Sequence, residues 1–256
     1  MKLAFRQTIA LTARQLLALW RQPSFVAITL VQPMVWLLPF GALFRRVVEI
    51  PGFHGGSYIE FLTPGVVVMS ALFSAGWHGM SIINAIDRGI MDRFLVSPVR
   101  RGALIASSLV HSAIVILIQS LVIIGVAFVA GACFSAGAIL LLLGVVTLLG
   151  GAICALSEAL ALATRQEETL IGAVQFVALP ATFLSSAMMA SNLMPGWMRE
   201  IARFNPLNWA IAASRSVAAA RVDWTLVATR TALLAVLLLA CAALATRAVG
   251  VYQRSV

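Results

Sequence analysis

The sequence predicts an all-α integral membrane protein with six transmembrane helices. Hydrophobic residues make up 61% of its 256 residues and charged residues only 11%, whereas a soluble domain carries roughly 25% charged residues. A transmembrane helix needs about 20 consecutive, mostly apolar residues, and six runs meet that requirement. They are residues 25–44, 61–83, 104–130, 136–163, 170–190 and 227–249.

The segment before the first apolar run is expected to lie on the membrane surface. On a helix with about 100° per residue, Phe5, Ile9 and Leu16 share one face, and basic side chains such as Arg6 and Arg14 gather on a neighbouring face. A basic amphipathic helix of this kind typically lies in the plane of the membrane interface. The alternative is a basic tail that only orients the first span. We therefore divide the chain into a cytoplasmic interface helix, 1–23, and a single six-span domain, 24–256.

A polar segment, residues 85–101, interrupts the apolar sequence between the second and third runs. It carries two acids and four arginines. Ile86 and Ile90 have the spacing of one helical face, and Arg88 and Asp92 have the spacing of an i, i+4 ion pair. This pattern predicts a short amphipathic helix at the membrane surface, whose apolar face needs a partner. The alternative is a surface loop that such ion pairs merely steady, at about 0.2–0.5 kcal/mol each.

The longest segment on the other side of the membrane, residues 191–225, is predicted to contain two short helices. Residues 194–204 and 208–220 both have helical patterns. Asn205 and Pro206 separate them, because the residue before a proline avoids the α-helical conformation. Tryptophans in both parts are typical of the lipid headgroup layer. We expect these two external helices to dip into the outer leaflet.

The distribution of basic residues indicates a lipid partner. The formal net charge is +9, but the arginines cluster at the ends of apolar runs, which favours anionic headgroups over nucleic acid. More of them fall on the side that holds both termini, which predicts cytoplasmic termini. The three cysteines lie in apolar surroundings and the three histidines share no metal-ligand spacing. Neither a disulfide framework nor a metal site is therefore predicted.

Lysine occurs only once in this chain, as Lys2. An ATP-binding P-loop needs a lysine within the motif G-x-x-x-x-G-K-[ST], and Lys2 has no such context. The sequence therefore predicts no P-loop, no catalytic residue and no ATPase activity in the chain itself.

Three stretches carry a family resemblance. Residues 58–66 read YIEFLTPGV, residues 87–101 read DRGIMDRFLVSPVRR, and residues 205–209 read NPLNW, with Arg215 following. The residues of these stretches and the order of the stretches along the chain resemble those of the permease subunits of type-2 ABC exporters, specifically the daunorubicin-resistance branch. The resemblance covers roughly the whole chain.

The resemblance implies an assembly. Two permeases, expected to be a homodimer, would pair in a bacterial inner membrane, and two separate ABC ATPase subunits would bind below them with ATP and Mg²⁺. The chain itself would need no cofactor. The resemblance implies that residues 85–101 form a coupling helix and that the two external helices are re-entrant. The residues expected to transmit the ATPase cycle are Asp87, Arg88, Gly89, Asp92, Arg93, Phe94 and Pro98.

The first and fifth apolar runs hold the candidates for a substrate path. Both contain prolines, which loosen the helix hydrogen-bond ladder, and in the family these two spans meet at the permease dimer interface. Ordinary helix packing with polar contacts is the alternative. The candidate residues are Gln32, Trp36, Gln175, Phe176 and Phe183.

Glu158 is the one acid inside an apolar run. A charge at the bilayer centre costs about 2.5–3.5 kcal/mol even on the lenient scale. Counting from the start of the fourth run places Glu158 near its cytoplasmic end. We therefore expect an interfacial acid paired with Arg165 or with a basic residue of the N-terminal helix, and a proton relay is the alternative.

The leading functional hypothesis is a permease that exports an amphipathic drug-like, lipid or glycolipid molecule with energy from a partner ATPase. Three alternatives stay open: a secondary transporter driven by an ion gradient, a polysaccharide-export permease, and an accessory membrane protein without transport. A secondary transporter usually shows repeats and ionisable groups at the midplane. The sequence shows no repeat, and Glu158 is its only candidate for such a group.

Overall fold

In a computed structural model of the chain, every regular element of the described residues is a helix. The described residues are 8–9, 11–13, 15, 23–46, 57–91, 101–218 and 222–255. The predicted interface helix, 1–23, therefore lies largely outside them, although its described residues up to residue 15 are helical. The hydroxyl of Thr12 donates to the carbonyl of Ser107 at 3.3 Å, so this segment lies against the helix that contains Ser107.

The order of the helices follows the predicted apolar runs closely. The α-helices of the described residues are α1 (Pro23–Leu43), α2 (Tyr58–Gly76), α3 (Met80–Asp87), α4 (Arg101–Val129), α5 (Ala136–Thr164), α6 (Glu167–Phe183), α7 (Gly196–Phe204), α8 (Pro206–Ala218) and α9 (Trp224–Ser255). A 3₁₀ turn, Trp77–Gly79, joins α2 to α3, and a second one, Ser191–Leu193, precedes α7.

Within the part of the chain that the structure describes, four stretches are long and apolar enough to cross a membrane: residues 58–87, 102–129, 136–164 and 224–254. They confirm a multi-pass membrane protein built from helices. Helix α1 has 21 residues and coincides with the first predicted run, while α6 has only 17. The count of six spans therefore stays a prediction, and so does the membrane depth of α7 and α8.

The fifth predicted run, 170–190, is too long at its end. Helix α6 begins at Glu167 and ends at Phe183, and residues 184–190 form turns. The prediction was wrong here because the residues after Phe183 remain largely apolar, so hydropathy does not report the break. The break is stabilised by polar side chains from α8, which are described below.

Helix α5 lies at the centre of the bundle and packs against α2, α4, α8 and α9. Gly150 leaves space for the side chain of Ile116 from α4, and Gly151 leaves space for Leu238 from α9. Small residues allow membrane helices to approach closely, so the two glycines let α5 pack directly against α4 and α9.

The helical bundle has two ends, which hold different residues. The end that holds Asp87 and Tyr252 is called the inner end below, and the end that holds Tyr58, α7 and α8 is called the outer end. A separate apolar cluster fills the inner end, with Ile83 and Met91 among its buried members.

Candidate functional site

The predicted coupling segment begins with α3, which continues α2 towards the inner end. The helix ends at Asp87, and Arg88 and Gly89 form a turn in which Gly89 has a φ of 62°. The predicted continuous helical face through Ile86 and Ile90 is therefore wrong, because the left-handed backbone at Gly89 interrupts the helix. Among the described residues, no atom lies within 4 Å of a Cβ built at Gly89. The left-handed backbone conformation therefore explains the glycine at this position, and close packing against the other described segments does not.

The first half of the coupling segment is anchored on one side and exposed on the other. Ile82 and Ile83 are buried in the inner-end cluster, and the side-chain amide of Asn84 donates to a carboxylate oxygen of Glu167 at 3.2 Å. The side chains of Asp87 and Arg88 are exposed. The remaining predicted coupling residues lie outside the described residues, namely Asp92, Arg93, Phe94 and Pro98.

At the outer end, asparagine side chains bind the backbone where α6 stops. The amide nitrogen of Asn205 donates to the carbonyls of Ala181 at 2.6 Å and Leu184 at 3.2 Å. The side-chain oxygen of Asn208 accepts hydrogen bonds from the backbone N–H of Ser186 at 3.2 Å and from its hydroxyl at 2.6 Å. The start of α8 is thus fastened to the end of α6.

Arg215 completes this arrangement from the last turn of α8. One guanidinium nitrogen, Nη1, donates to the carbonyl of Ser186 at 2.6 Å, and Nη2 donates to those of Phe61 at 2.9 Å and Ala187 at 3.0 Å. The guanidinium carbon lies 3.6 Å from the centroid of the Phe61 ring. The phenol of Tyr58 donates to the carbonyl of Met188 at 3.1 Å.

We call this set of residues the outer cluster: Tyr58, Ser186, Asn205, Asn208 and Arg215. In a hydrocarbon surrounding, every freed backbone group needs a partner within the protein. The outer cluster supplies these partners for the turn after α6. Gly65 lets that turn lie directly on α2, because a Cβ at this position would collide with the backbone of Ala187.

The predicted substrate-path residues lie at the surface of the single chain. Helices α1 and α6 both pack against α2. Gln32 and Phe183 are exposed, the Phe176 side chain is 82% exposed, and Trp36 and Gln175 are half-buried. The candidate residues therefore lie on the outward faces of α1 and α6, the two helices that flank α2.

The small cavity between α2, α4, α5 and α8 does not offer an alternative path. It holds about 10 Å³. Sites for drug-sized ligands measure roughly 300–1,000 Å³, so this cavity has room for about one water molecule and for no such substrate.

Glu158 lies towards the inner end of α5, as the count along the sequence indicated, but its side chain is buried in the bundle. It lies six residues before the end of α5, about 9 Å at ~1.5 Å per residue, and its side chain is completely buried. A carboxylate oxygen lies 3.7 Å from Nε2 of His78, whereas the guanidinium of Arg165 lies 4.5 Å from the centroid of the Tyr252 ring. The predicted pairing with Arg165 is wrong, because Glu158 faces the interior of the bundle. The basic residues of the N-terminal helix lie outside the described residues.

Sequence reasoning reached the outer cluster only in part. The resemblance drew attention to Asn205, Asn208 and Arg215, but nothing in their spacing indicated that they bind the end of α6. The role of Ser186 was missed. The available signal was the pair of serines, Ser185 and Ser186, that interrupts the apolar sequence after Phe183.

A comparison with known proteins identifies the family of this chain. The family description for ABC-2 type transporters matches residues 6–218. The chain belongs to the ABC-2 type transporter family. The resemblance to type-2 ABC permeases that the sequence motifs indicated is thereby confirmed.

Three relatives illustrate the range of this family. The chain is 30% identical to a putative transport permease, ycf38, of Porphyra purpurea, over 84% of this chain and 74% of the relative. It is 26% identical to the daunorubicin resistance ABC transporter permease protein DrrB1 of Streptomyces coeruleorubidus, over 80% and 72%. It is 28% identical to the probable doxorubicin resistance ABC transporter permease protein DrrC of Mycobacterium tuberculosis, over 85% and 78%.

Membership of this family agrees with the absence of a P-loop motif. Family members are membrane permease subunits rather than ATPases, and they usually work with ABC ATPase partners. A chain with long apolar helices and no P-loop lysine has the composition that such a subunit needs.

Proposed function

We propose that this chain is the transmembrane permease of an ATP-driven exporter that moves an amphipathic drug-like, lipid or glycolipid molecule out of a bacterial cytoplasm. The family match over residues 6–218 carries the proposal. Two further observations support it: two relatives are named for resistance to drugs, and the energy source has to be external because the chain has no P-loop.

Two ABC ATPase subunits would bind at the inner end, on the cytoplasmic side of the inner membrane, where both termini would also lie. The coupling residues would be those predicted above, Asp87 to Pro98. Exposed Asp87 and Arg88 support this assignment, because they end a helix whose other face is held by Ile82 and Ile83. A force on this helix end is therefore passed to α2.

A second copy of the permease would cover the faces of α1 and α6. These faces are strongly apolar, with Val31, Val35 and Phe176 among the exposed side chains. Gln32 and Gln175 place polar groups on the same two helices. Such a surface suits a path that an amphipathic substrate follows between two permeases, and lipid is the alternative covering.

Transport is tested in liposomes that contain the permease and its partner ATPase. We expect substrate movement that requires ATP and stops when the P-loop lysine of the ATPase is replaced. Transport driven by an ion gradient without ATP would contradict the proposal and favour a secondary transporter. Transport restricted to polysaccharide substrates would contradict the proposed substrate class only.

The coupling assignment is tested by the charge reversals Asp92→Arg and Arg93→Glu. We expect the ATPase to hydrolyse ATP without transport in both variants, while the permease still inserts into the membrane. Glu168→Arg is the matched control, since Glu168 is an exposed acid at the inner end outside the coupling segment. Normal transport in both reversal variants would contradict the assignment.

The pairing of two copies is tested by cross-linking. In a chain whose exposed Cys133 is replaced by serine, Phe176→Cys should give a cross-linked dimer. Leu239→Cys is the control, because Leu239 on α9 is also strongly exposed, at 70%. Equal cross-linking at both positions, or none at Phe176→Cys, would contradict this interface.

A further inference from the structure

Four side chains with metal-binding atoms meet inside the bundle, in a group that we call the buried cluster: His78, His111, Cys154 and Glu158. One ring nitrogen of His78, the sulfur of Cys154 and a carboxylate oxygen of Glu158 all lie within 4.8 Å of one another. The ring centroid of His111 lies 5.3 Å from that of His78. Cys154 and Glu158 are four residues apart on α5, so they project from the same helical face.

The buried cluster holds polar atoms that the described residues do not satisfy. Nε2 of His78, both ring nitrogens of His111 and both carboxylate oxygens of Glu158 are buried without a hydrogen-bond partner there. The 3.7 Å separation of His78 and Glu158 exceeds the length of a hydrogen bond. Each buried polar group left unpaired costs about 1–3 kcal/mol, so a ligand that satisfies several of them together would bind favourably.

The backbone around the buried cluster is held in place. The 3₁₀ turn that carries His78 is fixed to α5 because the N–H of Gly79 donates to the hydroxyl of Ser157 at 3.0 Å. The same hydroxyl donates to the carbonyl of Gly76. A Cβ at Gly79 would collide with the backbone of Ser157, so the two elements are as close as they can be. Ligand-binding side chains on such a fixed frame are well placed to act together.

The types of donor atom identify the ligand. Imidazole nitrogen, thiolate sulfur and carboxylate oxygen are the groups that bind Zn²⁺, at about 2.0–2.3 Å, usually with four ligands in a tetrahedron. Ca²⁺ and Mg²⁺ prefer oxygen ligands alone. One thiolate and one carboxylate also balance the two charges of the ion, which reduces the cost of placing it in an apolar surrounding.

We propose that His78, Cys154 and Glu158, with His111 as a fourth ligand, form a binding site for Zn²⁺ or a transition-metal ion of similar chemistry. The ligand atoms of His78, Cys154 and Glu158, which lie within 4.8 Å of one another, need to move together by only a fraction of that separation to reach one ion. The thiol releases its proton to the solvent when the metal binds. The spacing of these residues in the sequence argued against a metal site, but the ligands come from three helical elements that only the fold brings together. The proposal does not depend on the exporter function.

The test uses the purified full-length chain in lipid nanodiscs, with any affinity tag removed and bound metal extracted by a chelator. Zn²⁺ binding is measured by equilibrium dialysis, and Co²⁺ serves as a spectroscopic probe. We expect the Co²⁺ complex to show a thiolate-to-cobalt charge-transfer absorption and Zn²⁺ to raise the melting temperature. A wild-type Co²⁺ complex without that absorption overturns the proposal, whatever the variants do.

Variants then assign the ligands. Cys154→Ser should remove the charge-transfer absorption, while Cys133→Ser, at the exposed turn before α5, should leave it unchanged. His78→Gln and Glu158→Gln should weaken Zn²⁺ binding by more than the roughly 10–100-fold that the loss of an outer-shell partner costs. An unchanged Co²⁺ spectrum in Cys154→Ser, or unchanged Zn²⁺ affinity in both glutamine variants, overturns the proposal.

Discussion

Replacing Arg215 by methionine should loosen the outer end of the bundle, because one guanidinium holds three backbone carbonyls there. Two of those carbonyls belong to the turn after α6, at Ser186 and Ala187, and the third belongs to Phe61 in the first turn of α2. Methionine fills a similar volume and stacks on the Phe61 ring, but it donates no hydrogen bond. The substitution therefore tests the hydrogen bonds with little change in packing.

The expected loss follows from the number of carbonyls that are left without a donor. Each buried acceptor that loses its partner costs about 1–3 kcal/mol. Because the turn can relax and other donors of the outer cluster remain, we expect a loss in the free energy of unfolding of about 3–5 kcal/mol, at the upper end of what single substitutions cause. Arg215→Lys should lose less, since an ammonium group keeps some of the hydrogen bonds.

The assay is denaturant unfolding of the purified permease in mixed micelles. Arg203→Met is the matched control, because the Arg203 side chain is 66% exposed and pairs at 3.0 Å with Glu200, its neighbour on α7. An exposed ion pair contributes about 0–1 kcal/mol. Equal stability losses in Arg215→Met and Arg203→Met would refute the structural role assigned to Arg215.

Two glycine substitutions test the backbone of the same architecture. Gly65→Ala should lower the free energy of unfolding by about 1–3 kcal/mol, because the added methyl group is overpacked against Ala187. Gly125→Ala should raise it by about 0.5–1 kcal/mol through helix propensity, because a Cβ there meets nothing within 4 Å among the described residues. The same unfolding assay would contradict the first expectation if both variants gained stability. Gly89→Ala should cost about 1–2 kcal/mol in the local conformation of the coupling segment, because Gly89 has a φ of 62°. Faster amide exchange at the end of α3 measures that cost, and exchange rates equal to wild type would speak against it.

The helices could be predicted because the information is local. A run of about 20 apolar residues is visible in a short window of the sequence, and each of the six predicted runs contains an α-helix in the structure. The end of α6 could not be predicted in this way. Its position depends on Asn205 and Arg215, which lie 22 and 32 residues beyond Phe183 in the sequence and reach the turn only in the folded chain.

The same limit explains what was missed in the interior. Spacing arguments recognise metal ligands on one helix or one loop, but His78 and Glu158 are 80 residues apart and meet because α2 and α5 are neighbours. The pairing of Glu158 with Arg165 was inferred from proximity in sequence. It failed because Arg165 lies beyond the last residue of α5, where its guanidinium contacts the Tyr252 ring, while the side chain of Glu158 is buried inside the bundle.

The stretch from Tyr58 to Asp87 connects the outer cluster to the coupling segment. It has 30 residues, about 45 Å at ~1.5 Å per residue, and its one irregularity, the 3₁₀ turn Trp77–Gly79, is held against α5 by the hydrogen bond from Gly79 to Ser157. A displacement of Asp87 by a partner is therefore carried along α2 to the Phe61 carbonyl, which Arg215 joins to the turn after α6. If this path operates, Arg215→Met and the milder substitution Arg93→Ala, which should lower transport per ATP without abolishing it, disturb one process, and their effects should be less than additive. Strictly additive effects in the double variant, measured in liposomes, would show that the two ends act independently.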